Sequence, residues 1–185
     1  MPFLTRLFAV TCLLVSLVFV PLGAEAKSKK PIRLIEGVTI EQQVVTAIAA
    51  RALRKAGFKY ELVAGSDAEA LSALLDTGAH VHLSMPATEQ LGDALGASRI
   101  ISLGGLADND PSAAVLKIVG KGMKKKWPYA QKLLKRMILS DQDLAVPVAQ
   151  AKDGTPIKDA AANWFKANPK IWKPWVAASK NWMKP

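Results

Sequence analysis

The sequence predicts an α/β fold: a mostly parallel five-stranded sheet flanked by helices, followed by a helical C-terminal segment. Three observations carry this. Short apolar runs alternate with capped helical repeats between residues 32 and 119, which is the mark of βαβ units. Glycine or proline punctuates the junctions. Beyond residue 120 the strand-length runs stop and helical spacing takes over.

Residues 32–36 form the first expected strand, bounded by Pro31 and Gly37. Thr39 opens the first helix, and Gln42 completes a capping box in which each partner satisfies a backbone N–H of the first turn. Ile40, Val44, Ile48 and Ala52 recur at spacing four, with Val45, Ala49 and Leu53 beside them, so the helix has one apolar face. Gly57 stops it. Residues 58–63 read as the second strand. Ser66 and Glu69 repeat the capping box, and that helix is expected to end at Gly78. Residues 80–84 are the third strand, Thr88 caps a short helix to residue 95, and residues 99–103 and 113–119 are the fourth and fifth strands. A loop rich in Gly, Asp and Asn, residues 104–111, joins those two. In the second half residues 128–137 form a helix. Ser140 caps the next, with Asp141 and Asp143 in its first turn, where carboxylates suit the helix dipole. Gly154 ends it, and Thr155 and Pro156 read as the N-cap and first residue of a helix to residue 167. Pro169 and Pro174 are expected to break the remainder into short helical pieces.

The first 26 residues read as a signal peptide. Arg6 supplies a positive start, residues 7–20 are uncharged, Pro21 and Gly23 break the run, and Ala24-Glu25-Ala26 places small residues where a signal peptidase reads. A bilayer span needs about 20 apolar residues, which makes an uncleaved anchor the weaker reading. Cleavage before Lys27 places the working chain in the periplasm or its equivalent. The only cysteine, Cys12, lies inside the apolar run, so disulfides, thiol catalysis and cysteine–metal sites are excluded from the rest. The net charge of +10 is uneven: residues 27–116 carry 9 basic and 10 acidic side chains, residues 117–185 carry 15 and 4. Export turns that basic half away from nucleic acid and toward anionic headgroups, cell-wall polymers or an acidic protein surface. Lys121, Lys124, Lys125 and Lys126 beside Trp127 form the sharpest basic cluster, a candidate docking patch for an anionic membrane surface. The plain alternative is a solvated lysine-rich face.

Open parallel sheets bind ligands at the carboxyl edge of their strands. That edge brings Gly37, Val38, Thr39 and Glu41 after the first strand toward Ser84, Met85 and Thr88 after the third. Helix N-termini at Thr39 and Thr88 would offer N–H groups to a carboxylate. The plain alternative is that these residues only make turns and caps. Trp164, Trp172, Trp175 and Trp182 fall within about 80° of one another on a helix, a convex stripe suited to core packing. Trp164, Trp172, Trp175 and Pro169 are therefore read as structural. His80 and His82 share one strand face, but no third ligand accompanies them, so no metal site is assigned. With no nucleophile elbow, zinc-protease helix or phosphate loop, neither catalysis nor a cofactor is expected.

Two stretches carry a family resemblance. IEGVTIEQQVVTAIAARALRKAGFKYELV, residues 35–63, resembles the glycine betaine/proline-betaine substrate-binding proteins of ABC importers, with Leu53, Lys55, Gly57 and Phe58 in matching places. KWPYAQKLLKRMILSDQDL and DAAANWFKANPKIWKPWVAASK look like that family's later helix and closing segment, with Trp164, Asn168, Pro169 and Trp175 in matching places. The resemblance implies a periplasmic-binding-protein-like fold and a role in transmembrane transport of a small zwitterionic or cationic ligand, with an ABC transporter membrane component as partner. Such proteins close two lobes over the solute. Here residues 104–111 join the fourth and fifth strands directly, where the family would insert its second lobe. The chain is thus read as one lobe spanning residues 27–185, with a βαβ half (27–119) and a helical half (120–185). A second lobe would come from another chain. The family also places an aromatic just after the third strand, where Met85 stands here; methionine offers no π-face to a quaternary ammonium, so weak betaine capture is expected. The rival expectation is an envelope interaction protein that keeps the lobe and has lost the solute.

Overall fold

The computed structural model describes residues 30–76 and 80–180. The signal peptide expected at residues 1–26, the helix stop expected at Gly78 and Trp182 lie outside the described residues. The elements in order are β1 (Ile32–Ile35), α1 (Ile40–Lys55), β2 (Tyr60–Val63), α2 (Asp67–Leu75), β3 (Val81–Pro86), α3 (Glu89–Gly96), β4 (Ile100–Gly105), β5 (Val115–Gly120), α4 (Met123–Lys126), α5 (Pro128–Arg136), α6 (Asp141–Lys152), α7 (Ile157–Ala167) and α8 (Pro169–Lys180).

The five strands form one sheet in the order β2-β1-β3-β5-β4. β1 pairs in parallel with β2 and β3, while β5 runs antiparallel to both β3 and β4. The sheet is therefore mixed: β1 to β4 run the same way and β5 alone is reversed, so the expected mostly parallel sheet carries one antiparallel strand. The cause is the connection. Only nine residues separate Gly105 from Val115, and a parallel crossover takes a dozen or more. Gly104, at φ +90°, lets the chain turn where a Cβ would collide with the Asn109 carbonyl.

Strand alternation sorts side chains to two layers. Ile32 and Leu34 of β1, Val81 and Leu83 of β3 and Val119 of β5 pack with Val44, Ile48 and Leu53 of α1, Leu133 and Leu134 of α5, and Trp164, Phe165, Trp175 and Val176. Ile35, Leu116 and Ile118 face the other way, toward Ala70 and Leu74 of α2 and Leu91 of α3. The larger core draws on both halves of the sequence. Trp164 and Trp175 are 4% and 5% exposed, with their rings stacked 5.9 Å apart. Trp164 Nε1 donates to the Asp143 carbonyl at 2.8 Å, which ties α7 to the start of α6. Trp172 is half-buried and packs against Phe165.

Two proline expectations are corrected. Pro156, and not Thr155, is the N-cap of α7, whose first residue is Ile157. Pro174 does not break the C-terminal segment: α8 runs unbroken from Pro169 to Lys180 with Pro174 inside it. A proline within a helix costs about 3 kcal/mol. Burying large apolar side chains such as Trp175 and Val176 contributes roughly 1.5–3 kcal/mol each, enough to offset it.

β5 also carries a buried cation. Between His82 and Met85 on one side, and between Ser102 and Gly105 on the other, the neighbouring strands each run one residue longer than β5. These two bulges face the stretch of β5 that holds Lys117. Its side chain is fully buried, and Nζ donates to Asn109 Oδ1 at 2.6 Å, the Met137 carbonyl at 2.7 Å and the Lys135 carbonyl at 3.3 Å. Burial lowers its pKa to about 8; Asp108 opposes the fall and Lys135 adds to it. The unfolded chain keeps this proton up to the ordinary value of 10.5, whereas the native state releases it near 8. Below about 8 both states are charged, and the fold carries the full cost of burying the ammonium. Stability contributed by this group is therefore expected to rise as pH climbs from about 8 toward 10.5. Urea unfolding across that window checks it: Lys117→Met removes the rise relative to the parent, and an unchanged pH profile in the variant contradicts it.

Candidate functional site

The carboxyl edge is organised by one side chain, Gln42. Its Oε1 accepts from the Val38 and Thr39 backbone N–H groups at 3.0 and 3.1 Å. Its Nε2 donates to Asp67 Oδ1 at 2.8 Å and to the Ser84 carbonyl at 3.3 Å. The same Asp67 oxygen lies 3.1 Å from His82 Nε2, whose other ring nitrogen is 3.4 Å from the Ile35 carbonyl. Thr46 Oγ1 donates to that carbonyl as well, at 3.3 Å. The start of α1, the start of α2 and the ends of β1 and β3 are thus held by one continuous network. Both partners of His82 are acceptors, and the closer one assigns the donated proton to Nε2. Gly37, at φ +76°, makes the close approach possible; a Cβ there would fall 2.6 Å from Gln42 Cβ and Oε1.

The seven residues singled out from the sequence have different fates. Thr39 caps α1 by accepting the Gln42 N–H, and Thr88 caps α3 by accepting the Leu91 N–H, at 3.2 Å each. Both are exposed on the edge, as is Val38 at 64%. Gly37 and Ser84 lie just beneath. Ser84 is 8% exposed, and its Oγ has no hydrogen-bond partner among the described residues. A buried hydroxyl left this way is costly unless something meets it. Glu41 forms an ion pair with Lys152 Nζ at 2.7 Å. That bond, with backbone hydrogen bonding behind it, holds its carboxyl below the usual range. Met85 departs from expectation. It is 3% exposed inside the layer formed with α2 and α3, because the β3 bulge before it turns it to that face. It therefore presents nothing to a ligand at the edge.

Of the two N-terminal turns expected to offer free N–H groups, α1 has Val38, Thr39 and Gln42 already satisfied internally. Gln42, Asp67 and His82 are what sequence reasoning missed as a unit. The capping box exposed the Thr39–Gln42 pair, but nothing in the spacing links Gln42 to Asp67. His82 is committed to this network. His80 Nδ1 accepts the Arg33 N–H at 2.9 Å, and its ring lies 4.5 Å from that of Trp127. Burial, then the charges of Lys126 and Arg33, hold His80 below the usual histidine value. Among the described residues no group of three or more His, Cys, Asp or Glu side chains converges on a metal position. Lys121, Lys124, Lys125 and Lys126 are all exposed, and Lys126 Nζ lies 5.9 Å from the Trp127 ring centre. No described helix is long and apolar enough to cross a membrane.

No family model matches the chain, and no curated protein matches it by sequence. Solved structures do match. Lactococcal OpuAC, closed and liganded with glycine betaine, superposes with a TM-score of 0.69 at 14% identity, over 80% of this chain and 99% of that chain. An ABC-transporter choline-binding protein in complex with choline gives 0.70 at 14% identity, over 82% and 97%. The unliganded, semi-closed choline-binding protein gives 0.61 at 14% identity, over 80% and 92%. The likeness is one of fold. The described chain has the architecture of one lobe of a periplasmic-binding-protein-like fold, a five-stranded mixed sheet between helical layers.

Proposed function

We propose that this protein is an extracytoplasmic solute-binding component, related to the binding proteins of betaine-type ABC importers, that serves transmembrane transport of a small zwitterion or cation. The observation that carries the reading is the preorganised carboxyl edge. Gln42, Asp67 and His82 fix the strand ends there, Thr39 and Thr88 are exposed at the starts of the helices that follow, and Ser84 Oγ is buried without a partner among the described residues. Fixing a site in advance removes the ordering cost that a small ligand would otherwise meet. The two solved neighbours that hold glycine betaine and choline support the same reading.

The site is one-sided. Val38, Thr39 and Thr88 are the residues this edge exposes to a ligand, with Gly37 and Ser84 buried behind them, while Met85 is withdrawn into the core and offers no π-face. Cation–π contact contributes about 2 kcal/mol or more per desolvated face, so a monomer lacking it binds weakly. Tight capture needs a second surface from a membrane component, another chain or a second copy. Isothermal titration of the monomer with glycine betaine, proline betaine and choline is expected to give dissociation constants above about 1 mM. Micromolar binding by the monomer would contradict the one-sided site.

The exposed lysines at positions 121, 124, 125 and 126 favour a second reading, an envelope interaction protein that has kept the lobe without the solute. That protein would show no saturable thermal shift with any of the three solutes, and would be retained on anionic vesicles in a way that Lys124→Gln/Lys125→Gln abolishes.

A further inference from the structure

A cavity of 340 Å³ opens at the far end of α1, lined by Arg51, Arg54 and Lys55 of that helix, Phe165 and Lys166 of α7 and Trp172 of α8. At 1.5 Å rise per residue, Arg54 lies about 22 Å along the helix from Thr39, so this cavity is separate from the carboxyl edge. We propose that it binds a small organic anion carrying two or more negative charges, with a flat apolar portion resting on Phe165 and Trp172.

Four cations from two helices converge here without neutralisation. The ion pairs among the described residues join Arg33 to Glu61, His82 to Asp67 and Lys152 to Glu41, and none involves Arg51, Arg54, Lys55 or Lys166. Arg54 and Lys55 stand in the last turn of α1, and Lys166 in the last turn of α7. Two helix C-termini therefore meet at the cavity, each equivalent to roughly half a negative charge. Against four side-chain cations this leaves a net balance of about three positive charges, so an anion is favoured. The apolar floor is fixed and its polar atom is satisfied: the Phe165 and Trp172 rings stack 4.9 Å apart, and Trp172 Nε1 donates to the Phe165 carbonyl at 2.8 Å. Guanidinium groups match carboxylate or phosphate oxygens in pairs, while the ring surface accepts a flat body beside them. The volume falls within the range of small-ligand pockets, about 300–1,000 Å³.

The full chain is titrated with phenyl phosphate, phthalate and inorganic phosphate, with tryptophan fluorescence and melting temperature as readouts. The expected result is saturable binding of phenyl phosphate or phthalate, with inorganic phosphate about tenfold weaker for want of the apolar contact. The stronger of the two ring-bearing anions tells a phosphate ligand from a carboxylate one. Arg54→Gln/Lys166→Gln should weaken binding about tenfold or more, because two charge-assisted contacts are lost. Lys30→Gln/Lys158→Gln, which removes equal charge from exposed positions outside the cavity, should leave it unchanged. Arg54 and Lys166 are exposed; unliganded melting checks the fold, and Lys55→Gln serves as a second, milder variant. The proposal is overturned if none of the three saturates, or if inorganic phosphate equals the ring-bearing anions. It is overturned equally if both charge variants behave alike, or if these residues retain the protein on anionic vesicles while soluble anions do nothing.

Discussion

Replacing Trp164 by alanine is expected to cost about 3–5 kcal/mol of stability, and Trp175→Ala about the same. Both rings are almost fully buried in the core that α7 and α8 form with α1 and α5. Trp164→Ala does two things at once. It leaves a cavity beside Trp175 and removes the donor to the Asp143 carbonyl. Because the rings stack at 5.9 Å, the double variant should cost less than the sum of the single ones. Trp172→Ala, half-buried at the surface, should cost less than either. Chemical denaturation of the four variants checks the order. A Trp164→Ala protein of parental stability would remove the tryptophans from their structural role.

Gln42→Ala is expected to cost about 2–4 kcal/mol, at roughly 1 kcal/mol for each net hydrogen bond lost. Gln42 is 8% exposed and serves two backbone N–H groups, Asp67 and the Ser84 carbonyl. Gln42→Glu separates the two halves of its role. It keeps an acceptor for Val38 and Thr39 but turns a carboxylate oxygen toward Asp67 and the Ser84 carbonyl, where a donor is required. The glutamate is therefore expected to be as damaging as alanine at neutral pH, and to recover as the pH falls and that carboxyl protonates. Amide hydrogen exchange at Val38 and Thr39 gives an independent reading: protection falls in Gln42→Ala and is retained in part in Gln42→Glu. If alanine at position 42 costs less than about 0.5 kcal/mol, the network does not organise the edge.

The sequence made the local devices legible. The Thr39–Gln42 and Ser66–Glu69 spacings gave real capping boxes, because capping is a contact over three residues, and Ser140, expected only as a cap, completes a third box with Asp143. The apolar rows of α1 gave its buried face for the same reason. Strand direction was less legible: the reversal of β5 follows from a nine-residue connection whose shortness mattered more than its composition. Met85 was misplaced because a bulge shifts side chains to the opposite face without leaving a mark in the residues themselves. The continuity of α8 through Pro174 was decided by the burial of Trp175 and Val176, a tertiary effect that outweighs a local one. At the candidate site, the members found by spacing were those on the chain's own turns. Gln42–Asp67 and His82–Asp67 span 25 and 15 residues, and only the folded sheet brings them together.

On the proposed function, the carboxyl edge between Thr39 and Thr88 meets a small zwitterion. A two-dimensional ¹H–¹⁵N NMR titration of the monomer with glycine betaine tests it most directly, because it reads weak binding residue by residue. Saturable shifts are expected, confined to Gly37–Glu41, Ser84 and Thr88–Gln90, with a midpoint above about 1 mM. Amides near Arg51 and Lys166 should stay still. Shifts that never saturate, or that gather away from this edge, would contradict it.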